Sequence, residues 1–407
     1  MKTKKVEPHL DVLVFSSTDW EGIWGSRQQV MSRLSERGFR ILFVEQMAGL
    51  EHLLKYPRLF KRKRRRWREG IRQISKSLEI INPPPLLPGR YYSLTINKLN
   101  SNLIRIWIQK YLLERKIINP ILWLYKPEQF DLIGKFKEKL SIYHCIDEWK
   151  AGTSGRKRRI IKTMEDELLT GVDITFVNSK EKYLRTSKLN KNVYRIPSGT
   201  DVNLFAQVLS ADCKTHPVIQ GIKRPRICYM GNINDRLNYH YLQKLVTNRR
   251  NYSLVLIGDT YPWRKNEPHI KSLWRFPNVF FLGEFPFCEL PSLLKGIDVC
   301  LIPFRSDERG FYRSPIKLYE YLSAGKPIVS SHIAEAEEFS EYVYIANSPE
   351  EFVLKIDRAI AEDNDEKRLE RINISKIHSW DIRVNEMEHR IMELLAKQSI
   401  TSENQKA

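Results

Sequence analysis

The sequence predicts an α/β protein made of two successive doubly wound open sheets. Three observations carry that expectation. Short apolar runs alternate with helix-like segments through the first half, the same alternation restarts after a polar stretch, and 407 residues exceed what one hydrophobic core serves.

In the first half the apolar runs fall at residues 10–16, 40–44, 78–81, 120–125, 141–146 and 174–177. Between the first two, Val30, Met31 and Leu34 share one face at helical spacing, and Gly38 is a natural stop. Strands alternating with helices imply parallel strands joined by right-handed crossovers. Residues 198–225 are polar and contain Pro and Gly. Beyond them strands are expected at 226–230, 253–257, 279–282, 299–303 and 327–330, and a last helix over 381–396. The expected division is a first domain over 1–204, a second over 205–380, and a helix with a polar tail over 381–407 that crosses back to the first. In sheets of this kind ligands bind at the carboxyl ends of the strands, so the loops there are the candidate sites.

Composition narrows the function classes. An apolar fraction of 42% excludes wholesale disorder. No run of about 18 uncharged apolar residues exists to span a membrane. Glu7, His9 and Asp11 interrupt what would be the apolar core of a signal peptide, so a cytoplasmic location is expected. Five scattered cysteines without a CxxC pair read as buried hydrophobes of a reducing compartment. The net charge of +20 is confined to one half: residues 1–200 carry 40 Lys and Arg against 20 Asp and Glu, and the remainder is balanced. One domain is therefore expected to face an anionic surface.

The segment from Ser314 to Val329 reads as loop, helix, turn and buried strand. Ser314 suits an N-cap and Pro315 the first helical position; Gly325 ends the helix. A helix start points free N–H groups and a positive dipole outward, which suits a diphosphate. Lys317 in the first turn opposes the dipole unless an anion sits there. Glu320, a turn later, can accept two hydroxyl hydrogen bonds, as a ribose requires.

Other segments follow an order of their own: Tyr229-Met230-Gly231-Asn232 leading to Arg236, then Gly258-Asp259, then Gly283-Glu284-Phe285, then Pro303-Phe304, then His378-Ser379-Trp380-Asp381. In order and spacing, the C-terminal half resembles glycosyltransferase family 4 of the GT-B enzymes, and relatives in teichuronic acid and exopolysaccharide synthesis. The resemblance implies a GT-B fold: two Rossmann-like doubly wound domains facing a central cleft. It puts Gly231, Asn232 and Lys317 near the donor diphosphate, Glu320 on the ribose, and the backbone of Gly283, Glu284 and Phe285 against the base. Arg236 is a second phosphate ligand or a solvated loop charge. Tyr312 stands where the family has the first of two glutamates, and Asn238 where a lysine is usual, so retention of anomeric configuration is not implied.

In the first half, the strand over 141–146 ends in Asp147 and Glu148. Either carboxylate is a candidate base for an acceptor hydroxyl, Asp147 first; an acidic turn is the structural alternative. His144, within the strand, reads as a structural histidine. Gly22, Gly25 and Arg27 belong to a loop after the first strand that is expected to face the cleft.

From Lys55 to Lys76 there are 11 Lys and Arg and one acid, Glu69, interleaved with aromatics and aliphatics. Arg62, Arg64, Arg65, Arg66 and Trp67 are the expected contacts with an anionic membrane. A disordered loop and a nucleic-acid patch are the competing readings, and no nucleic-acid fold signature accompanies the run, so no nucleic-acid partner is expected.

The expected function is sugar transfer from a UDP- or GDP-sugar to a lipid-linked or oligosaccharide acceptor, at the inner face of the membrane. No cofactor beyond that substrate and no metal is expected. The alternative is a membrane-associated binding protein that keeps the fold without catalysis.

Overall fold

The computed structural model describes residues 10–22, 24–259, 268–307 and 313–404; residues 1–9 and Tyr312 lie outside them. Two compact units divide the chain.

The first comprises Met1–Ile196 and Val384–Ala407. Its sheet has eight strands: β1 (Asp11–Phe15), β2 (Arg40–Val44), β3 (Ile71–Ser75), β4 (Leu78–Ile81), β5 (Ile121–Leu124), β6 (Leu140–Cys145), β7 (Ile174–Val177) and β8 (Val193–Arg195), in the order β3-β4-β2-β1-β5-β6-β7-β8. Only the β3–β4 pair is antiparallel. Every residue of β1, β5, β6 and β7 is buried, because helices cover both faces of a parallel sheet. That double burial is why these strands read as unbroken apolar runs.

The second unit, Pro197–Arg383, carries β9 (Arg226–Met230), β10 (Ser253–Ile257), β11 (Val279–Gly283), β12 (Val299–Ile302), β13 (Ile328–Ser331) and β14 (Val343–Ala346). The order is β11-β10-β9-β12-β13-β14, all parallel. The chain winds outward from β9 in one direction and from β12 in the other. The crevice between the carboxyl ends of those two strands is the topological switch point where such sheets bind ligands. In the first unit the corresponding point lies between β1 and β5.

Residues 197–204 group with the second unit, where the Thr200 N–H bonds the His378 carbonyl at 3.1 Å and the Trp380 N–H bonds the Thr200 carbonyl at 3.0 Å. The last helix, Trp380–Asn404, is longer than the expected 381–396. From Val384 on it belongs to the first unit, where Glu388 pairs with Arg37 at 2.9 Å and Arg390 lies 4.6 Å over the Tyr194 ring.

The basic run is neither one long helix nor a loop. Pro57–Glu69 is helical, Gly70 breaks it at φ +71°, and the remainder forms β3 at the sheet edge.

Candidate functional site

At the switch point of the second unit, strand ends meet through bare backbone. The Gly231 N–H bonds the Ile257 carbonyl at 2.7 Å, and the Gly258 N–H bonds the Gly283 carbonyl at 2.7 Å. Gly231 has φ +140°, and a methyl group on Gly258 would lie 2.1 Å from the Gly231 carbonyl oxygen. Only glycine fits, and the ends of β9 and β10 present backbone without side chains.

The side chain of Lys317 crosses this surface. Its ammonium stands 5.4 Å from the Tyr229 ring centre and 5.9 Å from that of Phe304, so the last turn of β9 and the loop after β12 both flank it. Burial pushes its pKa down to about 8; Glu320 opposes that shift, while Arg236 and Arg313 add to it. Three cations therefore converge where one carboxylate is present. Glu320 is 7% exposed. Burial raises its pKa to about 7 against the pull of Lys317. The side-chain oxygen of Asn232 is buried without a partner.

The helix itself is Ile316–Ser323, with Pro315 in the cap position. This corrects the expectation that Ser314 caps and Pro315 opens it. Ser314 Oγ instead accepts the Ser198 N–H at 3.0 Å and donates to Glu335 at 2.9 Å, and the Ser198 hydroxyl donates to the Ser314 carbonyl at 2.8 Å. These bonds hold the chain entering the helix. Tyr321 accepts the Met230 N–H at 2.9 Å and ties the helix to the end of β9.

At the sheet edge the Gly283 carbonyl is taken by Gly258, Glu284 is exposed, and Phe285 packs edge-on to His216 at 5.2 Å. Arg236 is half-buried; its backbone N–H bonds Asn234 Oδ1 at 3.0 Å and its carbonyl accepts from Arg305 at 2.9 Å.

In the first unit Gly22 adopts φ +110° in the loop after β1. Gly25 caps the helix Ser26–Glu36, its N–H bonded to the Gln28 side chain at 3.1 Å. The next turn projects Arg27, which meets Asp147 at 2.6 Å and lies 5.5 Å over the Tyr125 ring. The expected loop residue and the expected carboxylate are thus joined. Both oxygens of Glu148 accept from Arg185, at 3.0 and 2.9 Å, and its side chain is buried. Glu148 is thus paired with Arg185 as Asp147 is with Arg27. His144 is buried among Trp123, Tyr125 and Phe176, and burial lowers its pKa to about 3, so it is neutral.

The basic helix has two faces. Arg66, expected at the membrane, is turned inward at 11% exposure, contacting Asp19 at 3.3 Å, Glu21 at 2.8 Å and the fully buried Glu45 at 3.6 Å. Lys63 pairs with Asp19 as well, and Arg62 reaches it at 3.5 Å from a half-exposed position. Arg64, Arg65 and Trp67 are exposed, together with Lys61 and Arg68. The inward pairing follows from Asp19 on the β1 loop and Glu45 at the end of β2, whose buried carboxylates require cations, with the exposed Glu21 beside them.

Residues 224–362 match the family model described as Glycosyl transferases group 1. The second unit carries a glycosyl transferases group 1 domain. The putative teichuronic acid biosynthesis glycosyltransferase TuaH of Bacillus subtilis is 23% identical over 256 residues, covering 59% of this chain and 64% of that protein's length. Sucrose-phosphate synthase from Thermosynechococcus elongatus superposes with a TM-score of 0.68 at 16% identity, over 96% of this chain and 100% of that one. HepE of Anabaena, solved with UDP and glucose, gives 0.64 at 13% identity, over 95% and 99%. The fold is GT-B, with two Rossmann-like α/β units.

The glycosyl transferases group 1 domain contains most of the site just described, since Gly231, Arg236, Arg313, Lys317 and Glu320 all fall inside the match. Arg313 was missed by sequence reading, although it directly precedes Ser314. A cavity of about 310 Å³ lined by Lys295, Asp298, Lys326 and Arg368 opens at the other end of this domain, beside the amino ends of β9, β12 and β13. That is the wrong end of the strands for a ligand site of this fold. Among the described residues, no group of three or more His, Cys, Asp or Glu is arranged to hold a metal ion. Nor is any helix there long and apolar enough to cross a membrane.

Proposed function

We propose that this protein transfers a sugar from a UDP- or GDP-sugar to a lipid-linked or polysaccharide acceptor. The observation that carries the reading is the convergence of Lys317, Arg236 and Arg313 on glycine-cleared strand ends beside the buried Glu320. The diphosphate lies on the Gly231 backbone, against Lys317 and Arg236, and the ribose hydroxyls donate to Glu320. The base lies along the Gly283–Phe285 edge.

In the reaction the bond from the anomeric carbon to the diphosphate oxygen breaks and a bond to the acceptor oxygen forms. The charge on the leaving diphosphate is met by cations already in place, so no metal is required for that step. Asp147, oriented by Arg27, accepts the hydrogen of the acceptor hydroxyl. The exposed face of the helix Pro57–Glu69 supports attachment to an anionic membrane, which would bring a lipid-linked acceptor to the enzyme.

The test is release of free UDP or GDP from a panel of sugar nucleotides, with metal chelated and acceptor lipid supplied. Release dependent on acceptor and abolished in Lys317→Ala supports the reading. Binding of a sugar nucleotide with no release under any condition would instead indicate a binding protein.

A further inference from the structure

The first unit contains a second cluster of charges, at the carboxyl end of β5 and apart from the Arg27–Asp147 pair. Lys126 follows β5 and is 3% exposed; Arg90, on the chain before the helix Leu94–Glu114, is 8% exposed. Both approach one oxygen of Glu128, Lys126 at 2.6 Å and Arg90 Nε at 3.6 Å, and the Tyr91 hydroxyl donates to that same oxygen at 2.7 Å. The other Glu128 oxygen has no partner. A third cation, Lys157, stands 5.6 Å over the Tyr91 ring, and Lys126 is 5.2 Å from the Trp149 ring. Lys126 and Arg90 thus share the Glu128 carboxylate, with Glu51 also acting on Arg90 and Lys157 close by over Tyr91.

The hydrogen-bond inventory gives the sign of what is missing. Arg90 Nε and Nη1 and Trp149 Nε1 are buried donors without acceptors. Buried donors left unpaired are costly, and Arg90 Nε has only its 3.6 Å approach to Glu128, so together they call for an acceptor-rich ligand. Tyr91 and Trp149 are half-buried, and cations lie over both rings, with Arg90 4.7 Å from that of Tyr91. The spare Glu128 oxygen suits a sugar hydroxyl. Burial pulls the Lys126 pKa down, but Glu128 and Tyr91 together more than offset it and the pKa is raised, so the cation persists at neutral pH.

We propose that Arg90 and Lys126 form an anion site that receives a carboxylate or phosphate carried by the acceptor sugar. Trp149 lies two residues beyond Asp147, so the site anchors an acidic sugar beside the carboxylate assigned to its hydroxyl. Naming the ligand as acceptor rests on the glycosyl-transfer reading; the anion site itself does not.

Calorimetric titration of the full chain with glucuronate, glucose 6-phosphate and glucose tests this. An acidic sugar binds at least about tenfold more tightly than glucose, and Arg90→Gln removes at least about tenfold of that affinity. Trp149→Phe, which keeps the ring and removes the N–H, weakens the acidic probe severalfold and decides the matter should Arg90→Gln fail to fold. The two acidic probes distinguish a carboxylate from a phosphate. Equal binding of glucose, no acidic binding at millimolar concentration, or an unchanged affinity in both variants overturns the proposal. UDP and GDP titrated on the same preparations separate the two claims. Failure of both nucleotides with the acidic sugars still binding sinks the transferase reading, and failure of the acidic sugars with a nucleotide still binding sinks this one.

Discussion

A methyl group on Gly231 would lie 2.2 Å from Cε of Lys317 and 2.4 Å from its Nζ. The backbone of β9's last turn and the lysine of a helix 86 residues later therefore share one surface. Gly231→Ala must either displace Lys317 or distort a backbone held at φ +140°. Overpacking of this kind costs about 1–3 kcal/mol. The expected result is a UDP affinity reduced by about tenfold or more, with a small fall in melting temperature, read by calorimetry and thermal denaturation. Affinity equal to the wild type would mean that the lysine does not face the ligand.

Lys317→Ala removes the cation from the leaving diphosphate. Turnover should fall by about 10²–10³. A rate within threefold of the wild type would reject the assigned role.

The pH dependence has a definite sign. Lys317 titrates at about 8 and Glu320 at about 7 in the folded chain. Diphosphate binding needs the charged lysine, so UDP affinity should fall as pH rises through about 8. Ribose binding needs the carboxylate, so affinity should also fall as pH drops below about 7. Apo stability moves the other way on the alkaline side: the unfolded lysine keeps its proton to higher pH, so this group's contribution to stability rises from pH 8 upward. Glu320 binds its proton more tightly when folded, so its contribution is present at low pH and lost as pH rises through about 7. Lys317→Arg, which does not titrate in this range, should flatten the alkaline limb of the binding profile.

The two faces of the basic helix should separate by mutation. Neutralising Lys61, Arg64, Arg65 and Arg68 to Gln should weaken flotation on anionic vesicles by about a hundredfold or more, at roughly 1 kcal/mol per charge, with melting unchanged. Arg66→Gln removes one of the two arginines shared by Glu21 and the buried Glu45, leaving Arg72 alone, so the chain should melt at lower temperature. The reverse pattern, with Arg66 governing flotation, would invert the orientation described for the helix.

Asp147→Asn keeps the shape of the pair with Arg27 and removes the carboxylate. Transfer to acceptor should drop by about 10²–10⁴ while UDP affinity holds. Undiminished transfer would leave Asp147 as a structural partner of Arg27, as Glu148 is of Arg185.

The fold and the candidate site were legible to different depths. Central strands such as β1, β5 and β9 are buried on both faces, and that physical demand writes itself as an unbroken apolar run. The strands that escaped sequence reading are β3, β8 and β14, each at the edge of its sheet. An edge strand is short and partly solvated, so its sequence carries little periodic signal: in β3 no residue is fully buried. Lys317 and Glu320 were singled out by the helix start that carries them and Gly231 by the family resemblance, and the structure brings the first two and Gly231 together.

Which charge faces which partner was not a local matter. Arg66 and Arg65 are adjacent in the same basic helix, yet one is 11% exposed against three acids and the other 73% exposed. That division depends on Asp19, Glu21 and Glu45, which come from the loop after β1 and the end of β2. Ser314 likewise looks like a helix cap until Ser198 and Glu335 engage it. By itself the sequence determined where the sheets lie, which strand ends carry backbone sites and that the charge excess belongs to the first half, because burial and backbone geometry act over a few residues. Only the tertiary structure decided which carboxylates and cations are paired and which are left facing a ligand, because ion pairs form between residues that the chain brings together from far apart.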